Sequence, residues 1–359
     1  MPFIDEYRNE RMVLAIAGQI REISTLQISL MEVCGGHTMA IHKSGLQAFL
    51  PENIRLLSGP GCPVCVSSQQ FVDHAIAIGR VPGVILTTYG DLVRVPGSVS
   101  SLEKEKGKGV DVRIVYSVLD ALELASANRK KKVVFLGIGF ETTAPASAAA
   151  IIQAGKQHLQ NFFLLSAHKV MPPALETLAN TDTQIDGFIA PGHVSAITGY
   201  SIYRKLTELY QRAVVISGFE PVDILQSILM LVRQIEARQF SVENEYTRVV
   251  RAQGNPMAQE LMEQVFTRES AEWRGLGWVP ESGLYIAEEF AAFDAAKQFK
   301  VRVPERRSPK GCICGEILIG KKRPSDCPLF SSVCTPVNPI GACMVSSEGT
   351  CSIFYKYHA

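Results

Sequence analysis

The sequence predicts an α/β protein: two small parallel-sheet α/β domains followed by a C-terminal mixed, cysteine-rich domain. Three observations carry this expectation. Eight short apolar runs recur between residues 28 and 218, most of them breaking into a Gly/Pro loop and then a helical stretch. Continuous apolar strands alternating with helices are the pattern of parallel sheets covered on both faces. The lysine-rich NRKKK at 128–132 parts these runs four and four. Six of the nine cysteines fall in the last 48 residues, behind a region of weak periodicity.

In chain order, residues 5–26 (DEYRNERMVLAIAGQIREISTL) place apolar positions at helical spacing, so an N-terminal helix occupies 1–27. ISLMEV (28–33) leads into CGGHT, IRLLS (54–58) into GPGCPVC, GVILTTY (83–89) into GDLVRVPGS, and VRIVYS (112–117) into VLDALELASAN; these form a first domain, 28–131. VVFLGIG (133–139) leads into FETTAPAS, FFLLSA (162–167) into HKVMPP, DGFIAPG (186–192) into HVSAITG, and AVVISG (213–218) into FEPVDILQSILMLVRQI; these form a second, 132–237. In the third region, 238–359, RVVRAQGNPMAQELMEQVF contains a helix and WRGLGWVPESGLYI reads as a packed loop. AEEFAAFDAAKQF reads as an amphipathic helix, and RVPERRSPKG as a polar linker into the cysteine tail. Ligands of such folds sit outside the carboxyl ends of the strands. Cys34, His37, Cys62, Cys65, Asp91, Glu141, His168, His193 and Glu220 all fall there.

The balance of 36 basic and 35 acidic residues leaves a net charge of +1 and no electrostatic footprint for nucleic acid. MPFIDEYRNERMV has no apolar signal region, and no apolar run approaches the roughly 18 residues of a membrane span. The expectation is a cytoplasmic protein, monomeric by default. There, cysteines serve as metal ligands or redox thiols more often than as structural disulfides.

The thiols fall into three groups. In the tail, Cys314, Cys327, Cys334 and Cys351 offer four thiolates on Pro- and Gly-rich loops, with Cys312 and Cys343 in excess. Their spacing is that of neither common ferredoxin type, and the paired knuckles of a zinc site are missing. A metal site is expected, an iron–sulfur cluster ahead of zinc; buried free thiols are the bland alternative. In GPGCPVC, Cys62 and Cys65 bracket a Pro at a helix start, which favours a redox dithiol over half a metal knuckle. In MEVCGGHT, Cys34 ends a strand with His37 three residues on. A thiolate beside an imidazole suits a nucleophile with its base or a ligand pair, and simple burial competes with both. His193 stands on a Pro-Gly loop, as general acids, ligands and backbone-bonded histidines all do. Asp91 and Glu141 end strands, where they orient protons or cap helices. GIGFETT lacks the lysine and glycine spacing of a phosphate loop.

MEVCGGHT, GPGCPVCV, TYGDLVRVPGS, GFETTAP, APGHVSAITG, SGFEPVDIL, WRGLG, DCPLF and MVSSEGTC, in this order from about residue 28 to the end, resemble the HypD family of [NiFe]-hydrogenase maturation proteins. The resemblance implies a scaffold on which Fe(CN)₂CO is assembled for the hydrogenase large subunit. It implies two partners: the chaperone HypC, which shares the iron, and HypE, which brings cyanide as a protein thiocyanate. By motif, Cys34 would bind that iron and Cys62 and Cys65 would be the redox thiols near it. His37, Asp91, His193 and Glu348 would line or support the site. Cys314, Cys327, Cys334 and Cys351 would hold a [4Fe–4S] cluster, with Cys312 and Cys343 unassigned. A free-standing, cluster-linked disulfide reductase and a zinc-stapled binding module are the competing readings.

Overall fold

Every one of the eight apolar runs is a strand in the computed structural model, which describes residues 5–181, 183–305 and 310–358. They are β1 (Ile28–Glu32), β2 (Ile54–Ser58), β3 (Val84–Thr88), β4 (Asp111–Ile114), β5 (Lys132–Gly139), β6 (Phe162–His168), β7 (Gly187–Pro191) and β8 (Ala213–Ser217). A short β9 (Val242–Asn244) follows, then β10 (Phe266–Trp273) and β11 (Gly277–Ile286). One parallel sheet has the order β2-β1-β7-β8-β9, the other β4-β3-β5-β6.

The strands therefore do not part at 128–132. The chain leaves the first sheet after β2, builds the whole second sheet, and returns, so that Leu30 of β1 stands opposite Gly187 of β7. The physical reason is that β1, β7 and β8 are buried runs of the same kind as β3 and β5. Burial on both faces marks a central strand but not its neighbour.

Helix α1 (Glu10–Ile23) is shorter than the helical pattern at 5–26. It starts where the Asn9 side chain accepts the N–H groups of Arg11 and Met12, and it buries Val13, Ile16 and Ile20. That face packs on the helix Pro221–Ala237, behind β8.

The third region departs most from expectation. WRGLGWVPESGLYI is the turn and second strand of an antiparallel hairpin, β10–β11. The alternation that would announce it is missing: Thr267–Ser270 are all exposed, and the register shifts between Glu269 and Ala271. Trp273 is buried nonetheless, its Nε1 donating to Ser282 Oγ at 2.8 Å. AEEFAAFDAAKQF is a 3₁₀ turn (Glu288–Phe293) and a short helix (Ala295–Gln298), not one helix. Asp294 breaks it by accepting the N–H of Ala296 at 2.9 Å, as a new N-cap. Of the polar linker, residues 306–309 lie outside the described residues. The tail beyond it holds only short elements: a helix at Cys314–Leu318, 3₁₀ turns at Pro324–Asp326 and Ala342–Met344, and a last helix at Thr350–His358. No helix among the described residues is long and apolar enough to cross a membrane.

Candidate functional site

Parallel pairing brings carboxyl ends to one edge. At that edge β1 runs into Cys34, β2 into Gly59–Cys62, β7 into His193, and β8 into Gly218–Glu220. Cys34 caps helix α2 (Gly35–Lys43) with extended backbone, and its carbonyl receives the N–H groups of His37 (2.9 Å) and Thr38 (3.2 Å). The surrounding glycines are there for want of space. A Cβ on Gly35 would strike Glu348, one on Gly36 would stand 3.1 Å from the Phe219 ring, and one on Gly61 would overlap the Cys34 backbone. The GPGC loop thus lies directly on the Cys34 loop.

Cys34 is half-buried. Burial, then the Glu348 carboxylate, pushes the thiol up to about 12, against the opposing pull of the Gly36 N–H. Glu32, two residues earlier, is pushed up to about 8 by burial, although Thr38 Oγ1 donates to it at 2.6 Å.

His37 Nε2 lies 3.0 Å from the Gly218 carbonyl and 3.3 Å from that of Ser217. Both are acceptors, so Nε2 carries the proton and Nδ1 holds a bare, buried lone pair with no partner among the described residues. Burial lowers this imidazole to about 4, so it is neutral. Phe219 is clasped between the two histidines, its centroid 4.6 Å from the ring of His37 and 4.0 Å from that of His193, nearly parallel to both. Burial lowers His193 as well. Asp91, at the end of β3, reaches over from the second sheet. Its Oδ2 accepts from Ser346 Oγ (2.8 Å) and the Ser347 N–H (3.3 Å), tying the tail loop of Glu348 in place. Burial and this aspartate raise the Glu348 carboxyl.

Cys62 and Cys65 are joined as a disulfide at the start of α3 (Pro63–Val66), with exposures of 3% and 0%. Helix α3 packs against the turn Ala342–Met344, which carries Cys343. The β10–β11 turn closes the same junction. Arg274 donates its N–H to Val66 O (3.0 Å) and its guanidinium to Ser67 O (3.2 Å), while Gly275 lies against Gly315.

All six tail cysteines line one small cavity, walled by Ile317, Leu329, Phe330 and Met344. Hydrogen bonds from Cys312 and Cys343 hold Cys314 well below the usual thiol range, with Arg274 adding to the effect, and both donors are raised in turn. Among the described residues no three His, Cys, Asp or Glu side chains are gathered tightly enough for a single metal ion. The six sulfurs surround a space instead of a point. An all-thiol, apolar lining is the donor chemistry of soft metals.

The structure thus sets the Cys34 loop, the disulfide loop and the thiol cavity side by side, with His37, His193, Asp91 and Glu348 around the first. Glu141 and His168 are engaged elsewhere: Glu141 Oε1 accepts the Met171 N–H (2.9 Å), and His168 Nε2 meets Ser147 Oγ (2.9 Å). Phe219, Arg274 and Glu32 are the site residues that sequence reasoning passed over. Phe219 was open to notice, since SGFE follows β8 as CGGH follows β1.

The family model HypD, described as "Hydrogenase formation hypA family", matches residues 11–358. The chain belongs to the HypD family. The hydrogenase maturation factor HypD of Rhizobium leguminosarum bv. viciae is 46% identical over 368 residues, covering 99% of this chain and 96% of its own. That of Azotobacter vinelandii is 46% identical over 367 residues, covering 99% and 97%. That of Escherichia coli K12 is 43% identical over 366 residues, covering 99% and 98%. A HypD chain is a hydrogenase maturation factor, and the junction described above is where its unusual residues gather.

Proposed function

We propose that the chain is the scaffold on which the Fe(CN)₂CO group of [NiFe] hydrogenase is assembled, with HypC sharing the iron and HypE supplying cyanide. One observation carries this reading: the loop of Cys34, the Cys62–Cys65 loop and the thiol-lined cavity abut one another at a single edge of the fold.

The iron is cargo here. Half-buried Cys34, its thiol raised, stays neutral until a cation arrives, then gives up its proton to become a soft, strongly bound ligand. The bare Nδ1 of His37 is an acceptor lone pair in the same loop, suited to receive that proton. His193 faces it across Phe219, and Glu348, on the tail loop that Asp91 ties down through Ser346 and Ser347, borders the same loop.

Releasing cyanide from a thiocyanate takes two electrons: R–S–C≡N accepts them and parts into R–S⁻ and C≡N⁻. Two cysteine thiols supply them by forming one S–S bond and shedding two protons, so Cys62 and Cys65 balance the step. The opposite change, disulfide to dithiol, needs two electrons back. The tail's all-thiol cavity fits an iron–sulfur group; Cys314, Cys327, Cys334 and Cys351 would hold a [4Fe–4S] cluster, which when bound supplies electrons singly. A free-standing disulfide reductase fits less well, because it leaves Cys34 and the unpartnered Nδ1 of His37 beside it without a part.

Cys34→Ala in the copurified HypC complex is expected to abolish the iron–cyanide infrared bands while leaving the cluster absorption intact; bands that persist would remove Cys34 from the iron. Anaerobic metal analysis of the full chain is expected to give about four irons with broad absorption near 400 nm, whereas one zinc would favour the stapled module.

A further inference from the structure

β9, the edge strand of the first sheet, ends close to His37 without contributing to its motif. Pairing with β8 sets Asn244 opposite Ile216, and the next residue, Glu245, donates its N–H to Ile216 O at 3.0 Å. That register brings the Glu245 side chain to the loop Ser217–Glu220, where its Oε2 accepts the Gly218 N–H at 3.1 Å.

The N–H groups and the carbonyls of this loop go to different partners. The N–H of Gly218 is on Glu245, and that of Glu220 is on Asp223 Oδ2 at 3.1 Å. Asp223 is fully buried, and Arg248 Nη1 donates to its Oδ1 at 2.9 Å. The Arg248 guanidinium lies over two rings, 3.9 Å from the centroid of Tyr7 and 4.5 Å from that of Tyr246. The carbonyls of Ser217 and Gly218 face the other way in function: both stand within reach of His37 Nε2. One amide belongs to both sets. The Ser217–Gly218 peptide has its N–H on Glu245 and its C=O 3.3 Å from His37 Nε2. Hydrogen bonds at the two ends of one amide polarise each other. An acceptor on the Gly218 N–H therefore makes the Ser217 carbonyl a better acceptor for the imidazole N–H.

The loop has little room to slip. A Cβ on Gly218 would fall 2.2 Å from Asp223 Oδ2 and 2.8 Å from the Tyr246 ring. One on Gly192, directly before His193, would fall 2.5 Å from Ser217 O and 2.7 Å from the same ring. Tyr246 also stands edge-on to Phe219, with centroids 6.1 Å apart. The segment Glu245–Arg248 thus bears on the loops of both histidines and on the ring between them. Burial and the Asp223 charge raise the Glu245 carboxyl, so a neutral amide is its nearest replacement.

We propose that Glu245 is a positioning residue: through the Ser217–Gly218 peptide it holds His37 in the tautomer whose Nδ1 stays bare for the Cys34 proton. The tautomer stands on the geometry; its use rests on the assembly reading above. The test takes the anaerobically purified full chain with histidine ring nitrogens labelled for NMR, the His37 signals being those absent from a His37→Gln chain. Wild type is expected to show His37 almost wholly as the Nε2–H tautomer. Glu245→Ala removes the acceptor, and Glu245→Met removes it while filling the space; whichever folds, by circular dichroism, serves. Each is expected to raise the other tautomer roughly fivefold or more and to weaken the iron–cyanide bands of the HypC complex several-fold. Glu245→Gln keeps an acceptor and is expected to restore both. Unchanged His37 signals in the Ala and Met variants, or a Gln variant as disturbed as they are, would overturn the positioning role and leave the assembly reading standing. A shifted tautomer with iron–cyanide bands at full strength would uphold the positioning and overturn the part given to His37 in assembly. A wild-type His37 found as the Nδ1–H tautomer would overturn both.

Discussion

Single residues set the chemistry through burial. Glu141 is 3% exposed, with Oε1 satisfied by the Met171 N–H and Oε2 by nothing among the described residues. Burial raises it from an ordinary value near 4.5 to about 7. Between those values the folded state holds a proton that the unfolded state has released. Its stabilisation is full below about 4.5 and lost as pH rises through about 7. Glu141→Gln removes the charge but keeps an acceptor for Met171. The variant's stability relative to wild type is expected to rise by roughly 1–3 kcal/mol across that window, measured by urea unfolding from pH 4.5 to 8. A difference that stays flat would show that the carboxyl is not buried as described. At this scale the sequence was most informative where residue types are chemically loud. Cys34, His37 and the Cys62/Cys65 pair announced themselves by glycine and proline neighbours. Phe219 did not, because an aromatic after a strand looks like core until two imidazoles are found against its faces.

Among the elements, the β10–β11 hairpin does the joining. Its turn puts Arg274 on the carbonyls of Val66 and Ser67, and Gly275 on Gly315. Gly275 and Gly277 both have positive φ (92° and 75°), but only Gly275 has backbone in the path of a Cβ, 2.7 Å from Gly315 O. Alanine at Gly277 is expected to cost about 1 kcal/mol from the left-handed backbone alone. Alanine at Gly275 adds the collision and is expected to cost roughly 2 kcal/mol or more and to speed proteolysis of the tail. Equal behaviour of the two would mean that the turn does not anchor Cys314. Apolar runs made the eight strands legible. The hairpin was not, since its exposed half carries no period and its one buried anchor, Trp273, sits among glycines that read as loop.

For the molecule as a whole, the thiol-rich ends meet across a body that carries no cysteine between Cys65 and Cys312. If the pair on α3 serves the site and not the fold, Cys62→Ser or Cys65→Ser is expected to leave circular dichroism and metal content unchanged while hydrogenase maturation stops. Maturation at wild-type level in either variant would take the dithiol out of the mechanism. What could not be read beforehand was which strand neighbours which, because pairing is settled between runs of equal character that lie far apart in the chain.

That pairing governs the order of events during synthesis. β1 cannot find β7 until more than 150 residues have left the ribosome, and the second sheet is complete before the first one closes. The loop of Cys34 is therefore made early but given its walls late, and the tail cysteines emerge after the strands of both sheets. A growing chain therefore presents the Cys34 thiol before its neighbours arrive, and the junction is whole only when the loop of Glu348 has folded against Gly35 and Asp91.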